Sequence, residues 1–441
     1  MTQDALGHAV SGATSESLSH YETALHEFQC YIGDPVRTVE QALDAGPETV
    51  MAHILKAYLY LLGTEPEGIP VAHASHEAAA ALPANERERG HIRGVGELVD
   101  GRWHAAGMTL EDVAIAHPRD VLALQAGHLV GFYTGSSRML RDRIARALPA
   151  WSADMPGHHA IRSMYAFGLE ENGDYAQAER YGRLAVEEEP RDGWGWHAVA
   201  HVMEMQGRGQ DGIAWLGDHA KAWSEESFFA VHLWWHLALY YLEFGDIDRA
   251  LVLFDGPIHG QRSPVVLDMI DAASVLWRLH LRGIDVGTRW QTVADVWEPL
   301  ADVGTYAFND AHAAMAFVGA GRTAAVARLL AAQAAAMERA DDNVAFTRDV
   351  GHPVTMAIIA FGGGDYDEAV RLLRPVRAIA NRFGGSHAQR DLIDLTLIEA
   401  ACRAGQGALA RALAAERIAA KPTSPLARLY SQRAEAVALA A

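Results

Sequence analysis

Lysine is almost absent from this 441-residue chain, and arginine supplies nearly all of its positive charge. A single arginine is therefore poor evidence of a phosphate site here. Cysteine is equally scarce. Cys30 and Cys402 lie at opposite ends, which excludes a CxxC pair or a disulfide framework and fits a reducing compartment. No apolar run is long enough to span a bilayer, since the richest stretch, residues 311–337, is broken by His312, Arg322 and Arg328. The N-terminus lacks the basic segment and apolar core of a secretory signal. These absences predict a soluble, cytoplasmic protein with no membrane partner. The formal net charge of -19, from 37 basic and 56 acidic residues, disfavours nucleic acid as a partner. There is no GxxxxGK[ST] loop, dinucleotide fingerprint, serine nucleophile elbow or HExxH, so several common enzyme classes have no support. Alternating apolar and polar runs of the kind strands need are few.

What is present is a ladder of glycines, about 38 residues apart: Gly63, Gly101, Gly135, Gly173, Gly207, Gly245, Gly283, Gly321, Gly364 and Gly405. Each lies between two helix-like segments, where glycine allows a tight turn with positive φ. A fixed period of this size is the mark of a helical-repeat solenoid. The clearest repeat is Gly173-Asp174-Tyr175, then Ala178, Ala185 and Pro190. It resembles the tetratricopeptide repeat: a turn glycine, an aromatic, alanines where helices touch and a proline that ends the second helix. The fold expected is all-α, a tetratricopeptide-like α-solenoid of about ten helix pairs, long enough to curl toward closure. Residues 1–18 read as an N-terminal arm, and residues 19–441 as one array without a linker, closed after Lys421-Pro422 by a C-terminal capping helix. The first helix is expected over residues 19–31.

The ladder fixes the phase of every helix, and it aligns histidines. His53, His91 and His197 lie ten residues before their glycine, and His236 and His312 nine before theirs. If first helices line the concave surface, as in tetratricopeptide arrays, these imidazoles approach the inner wall. His197, His201 and Glu204 share one helical face, as do His232, His236 and Glu243. As first helices of consecutive repeats, these segments predict convergence of four imidazoles and two carboxylates. Three readings remain open. His197, His201, His232 and His236 hold a divalent transition metal. Alternatively, His197, His201, Glu204, His232 and His236 form a metal-free acid–base pocket. Or they satisfy one another as structural polar groups.

Other residues join the candidate pocket on phase. Asp271 extends it from the next first helix, although Asp268 reads as ordinary N-terminal helix charge. Asn309, Asp310 and His312 open another first helix, where Asn309 or Asp310 also fits the role of cap. The run from Gly384 to Asp391 places Arg390 and Asp391 near a helix start that reads as an ordinary loop and cap, or as an anion site. Trp235 belongs to a tryptophan cluster that suits core packing and also suits a pocket wall.

The strings His197-Ala-Val-Ala-His201, His232 to Glu243, Phe308-Asn309-Asp310-Ala311-His312, Arg348-Asp349-Val350-Gly351 and Gly384 to Asp391, with Lys421-Pro422 and Ser424-Pro425-Leu426, are similar to the tetratricopeptide repeat protein 38 family over nearly the whole chain. The resemblance implies an α-helical repeat fold and a shared polar site, and it supplies no reaction. The function expected is binding of a small molecule in a His/Asp/Glu-rich concave pocket, with hydrolysis by a His–carboxylate pair as the default activity. A protein–protein interaction scaffold, holding a peptide on the concave surface, is the second expectation, and a metal-dependent hydrolase the third. Near-absence of lysine weakens a peptide-carboxylate clamp.

Overall fold

Ten pairs of helices arise wherever the chain places a glycine turn between two apolar-striped segments. The computed structural model describes residues 2–440. Its helices are α1 Ser15–Cys30, α2 Pro35–Ala45, α3 Val50–Leu61, α4 Gly68–Ala81, α5 Glu86–Val99, α6 Trp103–Ala116, α7 Val121–Tyr133 and α8 Ser137–Ala147. They continue with α9 His158–Glu170, α10 Tyr175–Glu188, α11 Gly193–Met205, α12 Gly209–Gly217, α13 Ala220–Ser224, α14 Ala230–Phe244, α15 Ile247–Leu253, α16 Val266–Leu281 and α17 Arg289–Trp297. The last are α18 Ala307–Gly319, α19 Thr323–Ala336, α20 Asn343–Phe346, α21 His352–Gly362, α22 Tyr366–Val376, α23 His387–Arg403, α24 Gly407–Ala420 and α25 Pro425–Ala440. The fold is an all-α helical repeat.

Each ladder glycine joins the first and second helix of one pair. All except Gly63 adopt positive φ, between +68° and +83°. At the first rung Thr64 takes the left-handed conformation instead, at φ 60°, so the turn moves by one residue. Where aspartate follows the glycine, its carboxylate caps the second helix. Asp174, Asp246 and Asp365 accept from the backbone N–H of Gln177, Arg249 and Glu368. Each such cap contributes about 1 kcal/mol. Small residues then let the pairs close: a Cβ on Gly182 of α10 would stand 2.7 Å from Val199 of α11, and Ala178 and Ala185 are fully buried.

The N-terminal arm is ordered. Thr2–Gln3 and Ala9–Val10 pair as a short antiparallel hairpin, and α1 starts at Ser15, inside the expected arm, through a capping box from Thr14. The hairpin docks on α5: Ser11 N–H donates to Glu88, and Asn85 and Arg87 donate to the carbonyl of Ala9. α1 ends at Tyr31 in the left-handed region, and Gly33 turns the chain into α2.

By their contacts the residues group into two compact units. The first comprises residues 1–202 and 220–230, the second 203–219 and 231–441. A straight solenoid makes contacts between neighbouring repeats alone, and neither unit is of that kind. In the first unit, Gln125 on α7 donates to the carbonyl of Phe28 on α1, and Ile32 bridges to Ser227. In the second unit, Trp277 on α16 donates to Thr396 on α23 at 3.0 Å, and Thr423 donates to the carbonyl of Gly207 across 216 residues. Each unit therefore packs early helices against late ones, which places first-helix polar groups in an interior instead of on an open groove. Among the described residues no helix is long and apolar enough to cross a membrane.

Candidate functional site

The phased histidines have different fates in the two units. His53 on α3 is half-buried and bonds the carbonyl of Pro47, and His91 on α5 is a buried strut. The His91 ring lies 2.9 Å from Asp120, whose other partner is Arg87 at 2.8 Å. These partners hold the Asp120 carboxyl well below its ordinary range against full burial. Both phased residues serve structure.

His197 and His201 lie on α11 within the first unit, with ring centroids 4.4 Å apart. The surroundings are mainly aromatic. His197 stacks on Phe167, His201 meets the same ring edge-on, and Trp194 and Phe229 flank His197. A carboxylate also stands beside them: Glu170 on α9 lies 3.7 Å from Nδ1 of His201 and is fully buried with it.

In the second unit the equivalent pair meets charge. His232 and His236 sit one turn apart on α14, with centroids 4.9 Å apart. Nδ1 of His232 lies 2.9 Å from Oδ2 of Asp271 on α16. Burial lifts the Asp271 carboxyl above its usual range despite this partner. His236 stands 3.5 Å from Glu204, and burial, with His232 and the Arg278 guanidinium nearby, drives its pKa well below the ordinary value, so the ring is neutral at pH 7. Glu204 in turn lies 3.8 Å from Nζ of Lys421, a side chain that is itself only 13% exposed.

Beside these pairs lies a cleft with about 40 Å³ open to the centre of a water molecule. That is room for a few waters or a ligand of similar bulk. Its walls carry Glu204, Glu243, Arg278, Asp391, Arg417 and Lys421, with Tyr240, Leu242, Leu395 and Leu426 as apolar surface. Asp391 and Arg417 form a bidentate pair at 2.7 and 2.9 Å, which holds the carboxyl far below its ordinary range. Arg278 is different. Its guanidinium is buried, donates to Ser274 and to the carbonyl of Ala388, and covers the ring of Trp235 at 5.4 Å. Trp235 is fixed by its own bond to Ser274 at 3.0 Å. Among the described residues no carboxylate stands within ion-pair distance of Arg278, and no cation within that distance of Glu243, whose Oε1 accepts from the N–H of Leu426. Burial accordingly lowers the Arg278 pKa, and the more distant Asp391, Glu204 and Asp271 offset part of the shift.

The remaining predicted residues lie apart from the cleft walls. Asn309 and Asp310 do not cap α18, whose cap position is Tyr306; both are buried inside its first turn. Burial pushes the Asp310 carboxyl up to about 7, against a hydrogen bond from Gln333. His312 bonds the carbonyl of Phe308 at 2.9 Å and is pulled down to about 4 by burial. Arg390 folds back on the carbonyl of Gly385, and Ser386 caps α23 through a capping box with Gln389. Asp391, one residue on, does reach the cleft. Arg278, Arg417 and Lys421 were not in the predicted set. The usable signal was Lys421: in a chain nearly without lysine, one beside a helix end and a Pro-rich break stands out. His197 and His201 belong to the first unit, and His232 and His236 to the second.

No family model matches the chain. Solved structures to which it is similar include the APC/C hetero-tetramer Cut9–Hcn1, at 11% identity and TM-score 0.33, covering 95% of this chain and 96% of that one. Naa15/Naa10 bound to HypK-THB gives 13% identity and TM-score 0.24, covering 95% of this chain and 60% of that one. The P58(IPK) TPR domain gives 13% identity and TM-score 0.19, covering 82% and 99%. These overlays are loose, and the helical-repeat assignment rests on the chain's own helix pairs and turns.

Proposed function

We propose that the second unit binds a small zwitterionic molecule of the amino-acid class in the cleft between Arg278 and Glu243. The observation that carries this reading is the buried Arg278 guanidinium at the cleft wall, held by neutral acceptors alone. An uncompensated buried charge is costly, and an incoming carboxylate relieves it through charge-assisted hydrogen bonds. Glu243, without a cation beside it, suits an ammonium group, and Leu239, Leu395 and Leu426 suit a short apolar stem. The size of the cleft favours such a ligand over a peptide.

If the bound molecule is turned over, Glu204 is the group placed to move a proton, with the neutral His236 ring behind it, and hydrolysis remains the default reaction. His232 is oriented by Asp271 and acts through the same helix. His197 and His201, in aromatic packing, carry no role in this proposal. Placement in the cytoplasm and membership of the tetratricopeptide repeat protein 38 family are parts of the same proposal; two unbridged, buried cysteines support the first and the polar strings named above the second.

Isothermal titration of the full chain with free amino acids, acetate, succinate and methylamine tests the reading. Saturable binding of at least one amino acid is expected, weakened about 10- to 100-fold by Arg278→Met and by Glu243→Gln. Absence of binding by every amino acid, or affinity unchanged in both variants, overturns it.

A further inference from the structure

The first unit contains a second cluster, and it needs no part of the cleft. His26 and Cys30 stand one turn apart on α1, and His159 opens α9 opposite them. The Cys30 sulfur lies 3.9 Å from both ring nitrogens of His26 and 4.0 Å from Nε2 of His159. One ligand atom from each of the three falls within 4.8 Å of the others. In a tetrahedral zinc site with Zn–S about 2.3 Å and Zn–N about 2.0–2.1 Å, ligand atoms sit about 3.3–3.6 Å apart. The two sulfur–nitrogen separations thus exceed those of a formed site by a few tenths of an ångström, and the nitrogen–nitrogen separation lies within 4.8 Å, a gap that a turn of the His26 ring can close.

The surroundings also match. Nδ1 of His159 is held at 2.9 Å by Oδ2 of Asp192, a fully buried carboxylate, which leaves Nε2 facing the thiol. Asp192 is fixed in turn, since its Oδ1 accepts from the N–H of Gly195 at 3.1 Å. A carboxylate behind a histidine, setting its tautomer, is the usual outer support of a metal-binding imidazole. His26 is 40% exposed, so its ring turns toward an ion at little cost and the cluster has an entry path. Glu189 lies 3.6 Å from His26 and stands ready as a fourth ligand, a place otherwise taken by water.

We infer that His26, Cys30 and His159 form a binding site for a zinc-class divalent transition ion, with Asp192 as the positioning residue behind His159. One thiolate and two imidazoles select such an ion over magnesium or calcium, which take oxygen. The thiol loses its proton to solvent as the metal–sulfur bond forms, so the cost of a buried thiolate is offset by the cation.

The test is titration of chelator-stripped, reduced full-length protein with Co²⁺, read by visible absorption and reversed with Zn²⁺. One equivalent is expected to produce tetrahedral d–d bands and a thiolate-to-cobalt charge-transfer band. Cys30→Ser removes the charge-transfer band and Cys402→Ser leaves it unchanged. Asp192→Asn weakens binding about 10- to 100-fold. His26→Ala changes a partly exposed side chain, so it tests the site with the fold intact by circular dichroism, and it weakens binding at least about tenfold. A charge-transfer band that never appears, that depends on Cys402 instead, or that titrates identically in His26→Ala overturns the inference.

Discussion

Two pairs of histidines with the same i, i+4 spacing occupy equivalent helices, one pair in each unit, and each meets both aromatic rings and a carboxylate, in different proportions. His197 and His201 are wedged among Phe167, Trp194 and Phe229. His232 and His236 face Asp271 and Glu204, with Lys421 and Arg278 behind them. The difference lies in what the neighbouring helices supply. α9 contributes Phe167 and Glu170 to the first pair, whereas α16 contributes Asp271 and Arg278 beside the second. Spacing on one helix therefore identifies a shared face and leaves its chemistry to the adjacent repeats.

The comparison breaks most sharply at Phe167. This ring is fully buried and touches both histidines of the first unit, so Phe167→Ala should cost about 3–5 kcal/mol in urea unfolding, nearly independent of pH. A cost below about 1 kcal/mol would mean that packing does not hold the pair. In the second unit, stability should instead follow protonation. Asp310 has its pKa raised from 3.8 to about 7, so the folded state holds this proton more tightly than the unfolded state. Its contribution is complete below the lower value and is lost as pH rises through the higher one. Asp310→Asn should remove that loss, stabilising the protein at pH 8 by up to about 4 kcal/mol while changing little near pH 4. An equal effect at both pH values would contradict the assignment. The smallest change is Asp271→Asn, which removes a charge and keeps the shape; loss of one charge-assisted bond to His232 should cost about 1–3 kcal/mol in urea unfolding. A cost below about 0.5 kcal/mol would mean that this ion pair does not hold the second pair of histidines.

The repeat architecture was legible because turn chemistry is local. Gly173-Asp174 announces both the left-handed turn and the cap that follows it, and no distant residue is needed to read either. Gly63 deviates because the neighbouring Thr64 accepts the strained conformation in its place. The N-terminal hairpin escaped notice because its partners, Asn85, Arg87 and Glu88, lie more than seventy residues away. Glu204, His232, His236 and Asp271 were placed by helical phase, and phase also put His91 on the inner wall, where Asp120 and Arg87 consume it as structure. Arg417 and Lys421 carry no phase signal, since they come from the far end of the second unit, and Lys421 stands out by the rarity of lysine alone. The triad of His26, Cys30 and His159 is invisible in the same way: His26 and Cys30 are one turn apart, but His159 joins them from 129 residues on.

The bond from Thr423 to Gly207 has a consequence for how the protein comes into being. A ribosome makes Gly207 more than two hundred residues before Thr423. Until Lys421 arrives, Glu204 lacks that countercharge and the cleft lacks one of its walls. Closure across so long a loop is slow compared with the pairing of adjacent helices, and the cleft is therefore a late product of folding, a latch that engages after the helices between its walls have formed.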